Sequence, residues 1–176
     1  SRSALTKAYQ EFDAAFAGRD HLICYAVKAN SNIAILNLFA QLGSGFDIVS
    51  GGELWRVMKA GGNPQKTVFS GVGKNTDEMR MALDANILCF NVESEAELST
   101  LNQVAQTMQK IAPVSLRVNP DVDAKTHPYI STGLKENKFG MPINEAERIY
   151  LSTHRYPHIR FTGLDCHIGS QLTEIE

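Results

Sequence analysis

No apolar run in this 176-residue chain reaches roughly 18 residues, the length that marks a candidate membrane-spanning helix, so none is expected. Nor is there a basic segment leading into an apolar stretch near the start, so no secretory leader is expected. Positive charge is not in excess. There are 17 Lys and Arg against 19 Asp and Glu, whereas a nucleic-acid footprint needs a basic stripe. Cysteine is scarce. Cys24, Cys89 and Cys166 are far apart, odd in number and set in apolar runs, which fits buried reduced thiols in a cytoplasmic protein better than a disulfide framework. No Cys or His spacing suits a metal. His154 and His158 are four apart, but Pro157 breaks the shared helical face, so no metal site is expected. What remains is 43% hydrophobic and 20% charged, an ordinary globular composition with enough apolar residues for a sizeable core.

Strand-like and helix-like segments alternate. Apolar runs at 22–27, 46–49, 67–69, 87–92, 114–118 and 161–167 read as strands. Leu5, Tyr9, Phe12 and Phe16 recur at helical spacing, and Gly18 closes that helix. Ser50 and Glu53 have capping-box spacing ahead of a helix over 54–60, which Gly61-Gly62 ends. Ser94 and Glu97 do the same before Leu98, Leu101, Val104 and Met108. A further helix opens at Asn144-Glu145-Ala146-Glu147, and Pro113 is expected to end the helix before the fifth strand.

This β-α-β-α order predicts a parallel sheet with right-handed crossovers. Polar residues decide between an open sheet and a closed (β/α)8 TIM-type barrel. Lys28, Asn30, Asp47, Ser50, Ser70, Asn91, Glu93, Arg117, Asn119, His167 and Ser170 each fall at or just past a strand end. A polar rim of that kind is the barrel pattern, whereas an open sheet concentrates such groups at one switch point. Six strands correspond to about six of the eight βα units of a barrel. No boundary between two domains is evident. The longest irregular stretch, 119–142, exceeds most loops in compact domains.

Lys28 follows the first strand directly. Burial there would disfavour its ammonium form and yield an amine able to form a Schiff base; the competing reading is a surface lysine. Gly71-Val72-Gly73-Lys74 is not a phosphate loop, because Val68 stands where the first glycine belongs and Asn75 replaces Ser or Thr. It and Gly43-Ser44-Gly45 read as turns. His167, with Gly169 and Ser170, ends the sixth strand; the turn either presents an N–H and a hydroxyl to a phosphate or is an ordinary turn beside a core histidine. Asp47 either orients Lys28 or favours a helix N-terminus. Arg117, inside the fifth strand, needs an anion, either a phenolate or phosphate of a ligand or a carboxylate of the protein.

The block Tyr25-Ala26-Val27-Lys28-Ala29-Asn30 resembles the cofactor-lysine motif of the barrel-type pyridoxal-phosphate-dependent decarboxylases. Gly45-Phe46-Asp47-Ile48-Val49-Ser50-Gly51-Gly52-Glu53-Leu54, Asn91-Val92-Glu93-Ser94-Glu95 and His167-Ile168-Gly169-Ser170-Gln171 resemble further blocks of that family, in the same order. Arg117-Val118-Asn119-Pro120-Asp121-Val122, Thr126-His127-Pro128-Tyr129-Ile130-Ser131-Thr132-Gly133-Leu134 and Lys138-Phe139-Gly140 are similar to the branch of the family that acts on diaminopimelate.

The resemblance implies decarboxylation of meso-diaminopimelate to L-lysine, with pyridoxal 5'-phosphate as cofactor. It implies catalytic roles for Lys28, which would hold the cofactor, and His167, which would stack on its ring. Ser170 would bind the phosphate, Asp47 would lie near Lys28, and Arg117 would lie near the phenolic oxygen. Alternatives are another basic amino-acid decarboxylase of the class, acting on ornithine, arginine or carboxynorspermidine, or a non-catalytic regulatory homologue. The resemblance makes residues 1–176 a partial pyridoxal-phosphate-binding barrel. It leaves the family's C-terminal β-domain outside the chain and implies a homodimer for the full-length enzyme. The chain alone is expected to be inactive, and the partner to be a small amino-acid substrate rather than nucleic acid or membrane.

Overall fold

The structure, a computed structural model, describes residues 1–120 and 139–169. Strands and helices alternate along it, and the chain divides between Phe90 and Asn91 into two compact units.

The first unit opens with α1 (Arg2–Ala15), which Ser1 caps by accepting from the Ala4 N–H. Four strands follow: β1 (Cys24–Ala26), β2 (Gly45–Ile48), β3 (Thr67–Phe69) and β4 (Cys89–Val92), the last of which runs across the division. Within the unit they pair in parallel and in chain order. The crossovers are α2 (Ile33–Gln41), α3 (Gly51–Lys59) and α4 (Thr76–Asp84). α2 and α4 start on asparagines rather than on a serine such as Ser50, which caps α3. The Asn32 side chain accepts from Ala34, and Asn75 makes a full capping box with Glu78. Phe46, Ile48, Phe69, Phe90, Leu36, Leu54 and Val57 are fully buried between strands and helices. Each such side chain stabilises by about 1.5–3 kcal/mol relative to exposure. Gly45 admits nothing larger, since a Cβ there would lie 2.4 Å from the Lys66 carbonyl oxygen and 2.7 Å from Cys24 Sγ. Gly43 and Gly71 have φ of +89° and +91°, conformations that suit the turns expected of them.

The second unit holds the end of β4, then α5 (Glu95–Thr107), β5 (Ala112–Arg117), α6 (Ile143–Leu151) and β6 (Ile159–Asp165). β5 and β6 pair in parallel from Ala112↔Ile159 to Arg117↔Asp165, with one irregularity between Val114 and Ser115. Boundaries differ from expectation at both strands, β5 running from Ala112 to Arg117 rather than over 114–118. Pro113 does not end the preceding helix. α5 stops at Thr107, Gln109 turns the chain at φ +54°, and Pro113 is the second residue of β5. Proline's fixed φ suits extended backbone near a strand's start. β6 begins and ends two residues earlier than its apolar run indicates, because Ile159 opposite Ala112 opens the ladder. His167 therefore lies past the strand rather than in it.

Glu95, in the first turn of α5, gathers three side chains. Arg148 Nη2 donates to its Oε2 at 2.6 Å, Tyr156 Oη donates to Oε1 at 2.8 Å, and Arg155 Nη1 approaches Oε1 at 3.5 Å. These contacts, Arg148 foremost, lower its pKa from 4.5 to about 2. A depressed carboxyl pKa gives stability that is present above the unfolded value and lost as pH falls through the folded one. Thermal melts of Glu95→Gln should therefore fall below wild type near neutral pH, and the gap should close between pH 4.5 and about 2. A gap that persists unchanged at the acid end would contradict the pairing.

Candidate functional site

In the first unit, β1 delivers Lys28. The strand covers only Cys24–Ala26, and a single 3-10 turn over Val27–Ala29 follows. Val27 is fully buried and pins that turn, while Tyr25 stacks on Phe39 with ring centroids 4.2 Å apart. Lys28 itself is exposed, and among the described residues no hydrogen bond or ion pair engages its amine. The expectation that it is buried is thus corrected: β1 is shorter and less buried than its apolar run suggests, and the turn carries the side chain out. Asn30 ends the turn. Its Oδ1 accepts from the Asn32 N–H, which starts α2.

Asp47 stands opposite Ala26 in β1 and Val68 in β3. Its Oδ1 accepts from Ser70 Oγ at 2.6 Å, and the Ser70 N–H donates to the Ile48 carbonyl at 2.8 Å. Asp47 is therefore a strand residue with a fixed carboxylate, not an acid of the α3 N-terminus. It also bears on Cys24, whose thiol is pushed up to about 11, chiefly by burial and then by the Asp47 charge. The three thiols are not alike: Cys89 is buried, Cys24 is half-buried, and Cys166, just past β6, is exposed. Exposure of Cys166 corrects the reading of three buried thiols.

The second unit supplies a cluster on Arg117. That residue ends β5 and faces Asp165 across the β5–β6 ladder. Its Nη1 donates to Glu93 Oε1 at 2.6 Å, and its Nε lies 3.5 Å from Asp165 Oδ2. The side chains are 11% (Arg117), 5% (Glu93) and 28% (Asp165) exposed. The Phe139 ring centroid is 5.5 Å from the guanidinium carbon. Behind it, Gly140 at φ +88° lets the chain close on the strand, where a Cβ would come within 2.9 Å of the Arg117 carbonyl oxygen. Met141 donates its N–H to that same oxygen at 2.9 Å. Of the anions open to Arg117 from sequence, the structure records two protein carboxylates.

Glu93 is the site residue to which sequence alone assigned no role. It directly follows β4, and its N–H donates to Glu97 Oε2 at 3.0 Å. Ser94 caps α5 through the Glu97 N–H. α3 repeats the device, Glu53 accepting from Val49 while Ser50 caps. Glu93 Oε2 is buried with no hydrogen-bond partner among the described residues. Such an oxygen typically costs about 1–3 kcal/mol. A buried arginine in a strand demands a carboxylate from a strand end nearby, and that demand was the available signal for Glu93.

His167 lies two residues past β6 and is exposed. Ser170 lies outside the described residues, as do the blocks at 121–138 that carried the branch-level resemblance. Among the described residues no group of His, Cys, Asp and Glu suits a metal ion, and no helix is long and apolar enough to cross a membrane.

Comparison with known proteins gives a consistent picture. Diaminopimelate decarboxylase of Haemophilus influenzae is 61% identical over 176 residues, which is all of this chain and 42% of that protein. The Pseudomonas aeruginosa enzyme of the same name is 60% identical over the same span. The chain thus spans less than half the length of the curated relatives it matches. The crystal structure of Helicobacter pylori diaminopimelate decarboxylase complexed with L-lysine superposes with a TM-score of 0.96 at 49% identity, covering 100% of this chain and 45% of that one. The crystal structure of diaminopimelate decarboxylase from m. jannaschii, also in complex with L-lysine, gives a TM-score of 0.89 at 40% identity, covering 99% of this chain and 42% of that one. The six strands with their helices are accordingly part of the N-terminal (β/α)8 barrel domain of such decarboxylases. The family model described as "Pyridoxal-dependent decarboxylase, pyridoxal binding domain" matches residues 2–176, and the chain belongs to that family.

Proposed function

We propose that the protein carrying this chain decarboxylates meso-diaminopimelate to L-lysine with pyridoxal 5'-phosphate. The observation that carries the reading is the 61% identity, sustained over every residue of the chain, to a diaminopimelate decarboxylase. The residues present suit the cofactor. Lys28 offers an exposed amine, with no partner among the described residues, just past a strand end. Glu93 and Asp165 already offset the charge of Arg117, so what it offers is an N–H donor: no hydrogen bond or ion pair with a described residue engages its Nη2.

Bound pyridoxal phosphate supplies an electron sink for the pair of electrons left when carbon dioxide departs. The chain's residues do the rest. Lys28 would hold the cofactor through Nζ, and its amine would supply a base within the site. His167 packs on the cofactor ring, and Ser170 binds its phosphate. Asp47, held by Ser70, carries negative charge beside the β1 end and orients the Lys28 region. Arg117 binds the cofactor's anionic oxygen. The complete protein acts as a cytoplasmic homodimer, with residues 1–176 forming part of the barrel and a C-terminal β-domain following.

Release of carbon dioxide from meso-diaminopimelate, L-ornithine and L-arginine, measured side by side on the complete protein, tests the substrate. Turnover of diaminopimelate with formation of lysine is the expected result. Preference for ornithine or arginine would place the protein in another branch of the class, and no turnover of any of them would overturn the reading.

A further inference from the structure

We propose that Glu93 is a positioning residue: it grips Arg117 by Nη1 so that Nη2 is kept for an anionic oxygen of pyridoxal phosphate. The inference rests on the cofactor assignment above, not on the identity of the substrate.

Charge alone does not account for Glu93. Asp165 already stands opposite Arg117 in the ladder and lies 3.5 Å from its Nε. A second carboxylate takes the trio to a formal charge of −1. It also leaves Glu93 Oε2 buried without a partner among the described residues, in a side chain only 5% exposed. What the second carboxylate adds is direction. The guanidinium is a rigid planar fork. Glu93 takes its Nη1 edge at 2.6 Å, Asp165 lies on its Nε side, and Phe139 lies against it. A fork held on two edges has one orientation, and the nitrogen left without a partner among the described residues is Nη2.

Glu93 is itself held. Its N–H donates to Glu97 Oε2 at 3.0 Å, and Glu97 sits in the first turn of α5, which Ser94 caps. The backbone of the helix start thus fixes the carboxylate, and the carboxylate fixes the arginine. Groups that bind ligands in parallel βα proteins stand at the C-terminal ends of strands, where Glu93, Arg117 and Asp165 all lie.

A double-mutant cycle on the complete protein tests this, with the dissociation constant of pyridoxal phosphate as the readout. The variants are Glu93→Gln, which keeps size and an acceptor, Arg117→Lys, which keeps the charge but not the fork, and the two combined. Glu93→Gln should weaken binding about tenfold, equivalent to 1.4 kcal/mol. Arg117→Lys should weaken it at least as much, and the double variant should be no weaker than Arg117→Lys alone, because Glu93 acts through Arg117. The absorption maximum of the bound cofactor should move in the same direction in both single variants. Thermal melts of the cofactor-free proteins identify loss of fold, which would not produce that non-additive pattern. Wild-type affinity in Glu93→Gln, or effects that multiply in the double variant, would overturn the proposal. Failure of the protein to bind pyridoxal phosphate at all would instead overturn the reading on which it rests.

Discussion

Replacing Lys28 by alanine should reduce decarboxylation by the complete protein to the uncatalysed background. The reason is chemical rather than structural. Lys28 is exposed, follows a half-buried strand and makes no hydrogen bond or ion pair with a described residue, so its removal opens no cavity and leaves none of their buried groups unpaired. Exposed substitutions of this kind usually change stability by no more than about 0.5 kcal/mol. The variant should therefore melt as the wild type does when both lack cofactor. Activity, by contrast, depends on the one amine that the reading assigns to covalent cofactor binding, and no other residue can take its place. Lys28→Arg should be equally inactive, since guanidinium keeps the charge but is not a nucleophile at neutral pH. Turnover by either variant within about tenfold of wild type would be incompatible with nucleophilic use of Lys28.

The second large effect concerns stability. Arg117→Met should destabilise by about 3–5 kcal/mol, because it leaves Glu93 and Asp165 close together without their cation. Glu93 suffers more, at 5% exposure against 28% for Asp165. Adding Glu93→Gln to Arg117→Met should recover a large part of the loss, since it removes the more deeply buried uncompensated charge. Denaturant unfolding of the wild type, both single variants and the double variant measures this. Losses that simply add would show that the two side chains are not coupled.

These two residues also show where sequence reading succeeds and where it stops. The alternation of strands and helices was legible because apolar runs and serine caps are local. β3 falls on Thr67–Phe69 as its run predicts, and Ser94 caps α5. α2 was harder to single out, since its cap Asn32 has no glutamate three residues on, whereas α4 carries the full Asn75–Glu78 capping box that sequence reading passed over. The position of Lys28 after a strand was legible. Its exposure was not, because an apolar run does not reveal that the strand ends at Ala26 and a 3-10 turn begins. That Arg117 needs an anion followed from its place in an apolar strand. That Glu93 and Asp165 meet it depends on strand register and on the turn after β4, which no local pattern encodes. The Ser70–Asp47 bond is of the same kind, joining residues 23 apart through the pairing of β2 and β3.

The measurement closest to the central claim is the site of covalent attachment. The complete protein, loaded with pyridoxal phosphate and reduced with borohydride, is digested and its peptides are mapped by mass spectrometry. The account predicts one pyridoxyl label, on Lys28. A label on Lys66, Lys74 or any other lysine, with Lys28 unmodified, would contradict it.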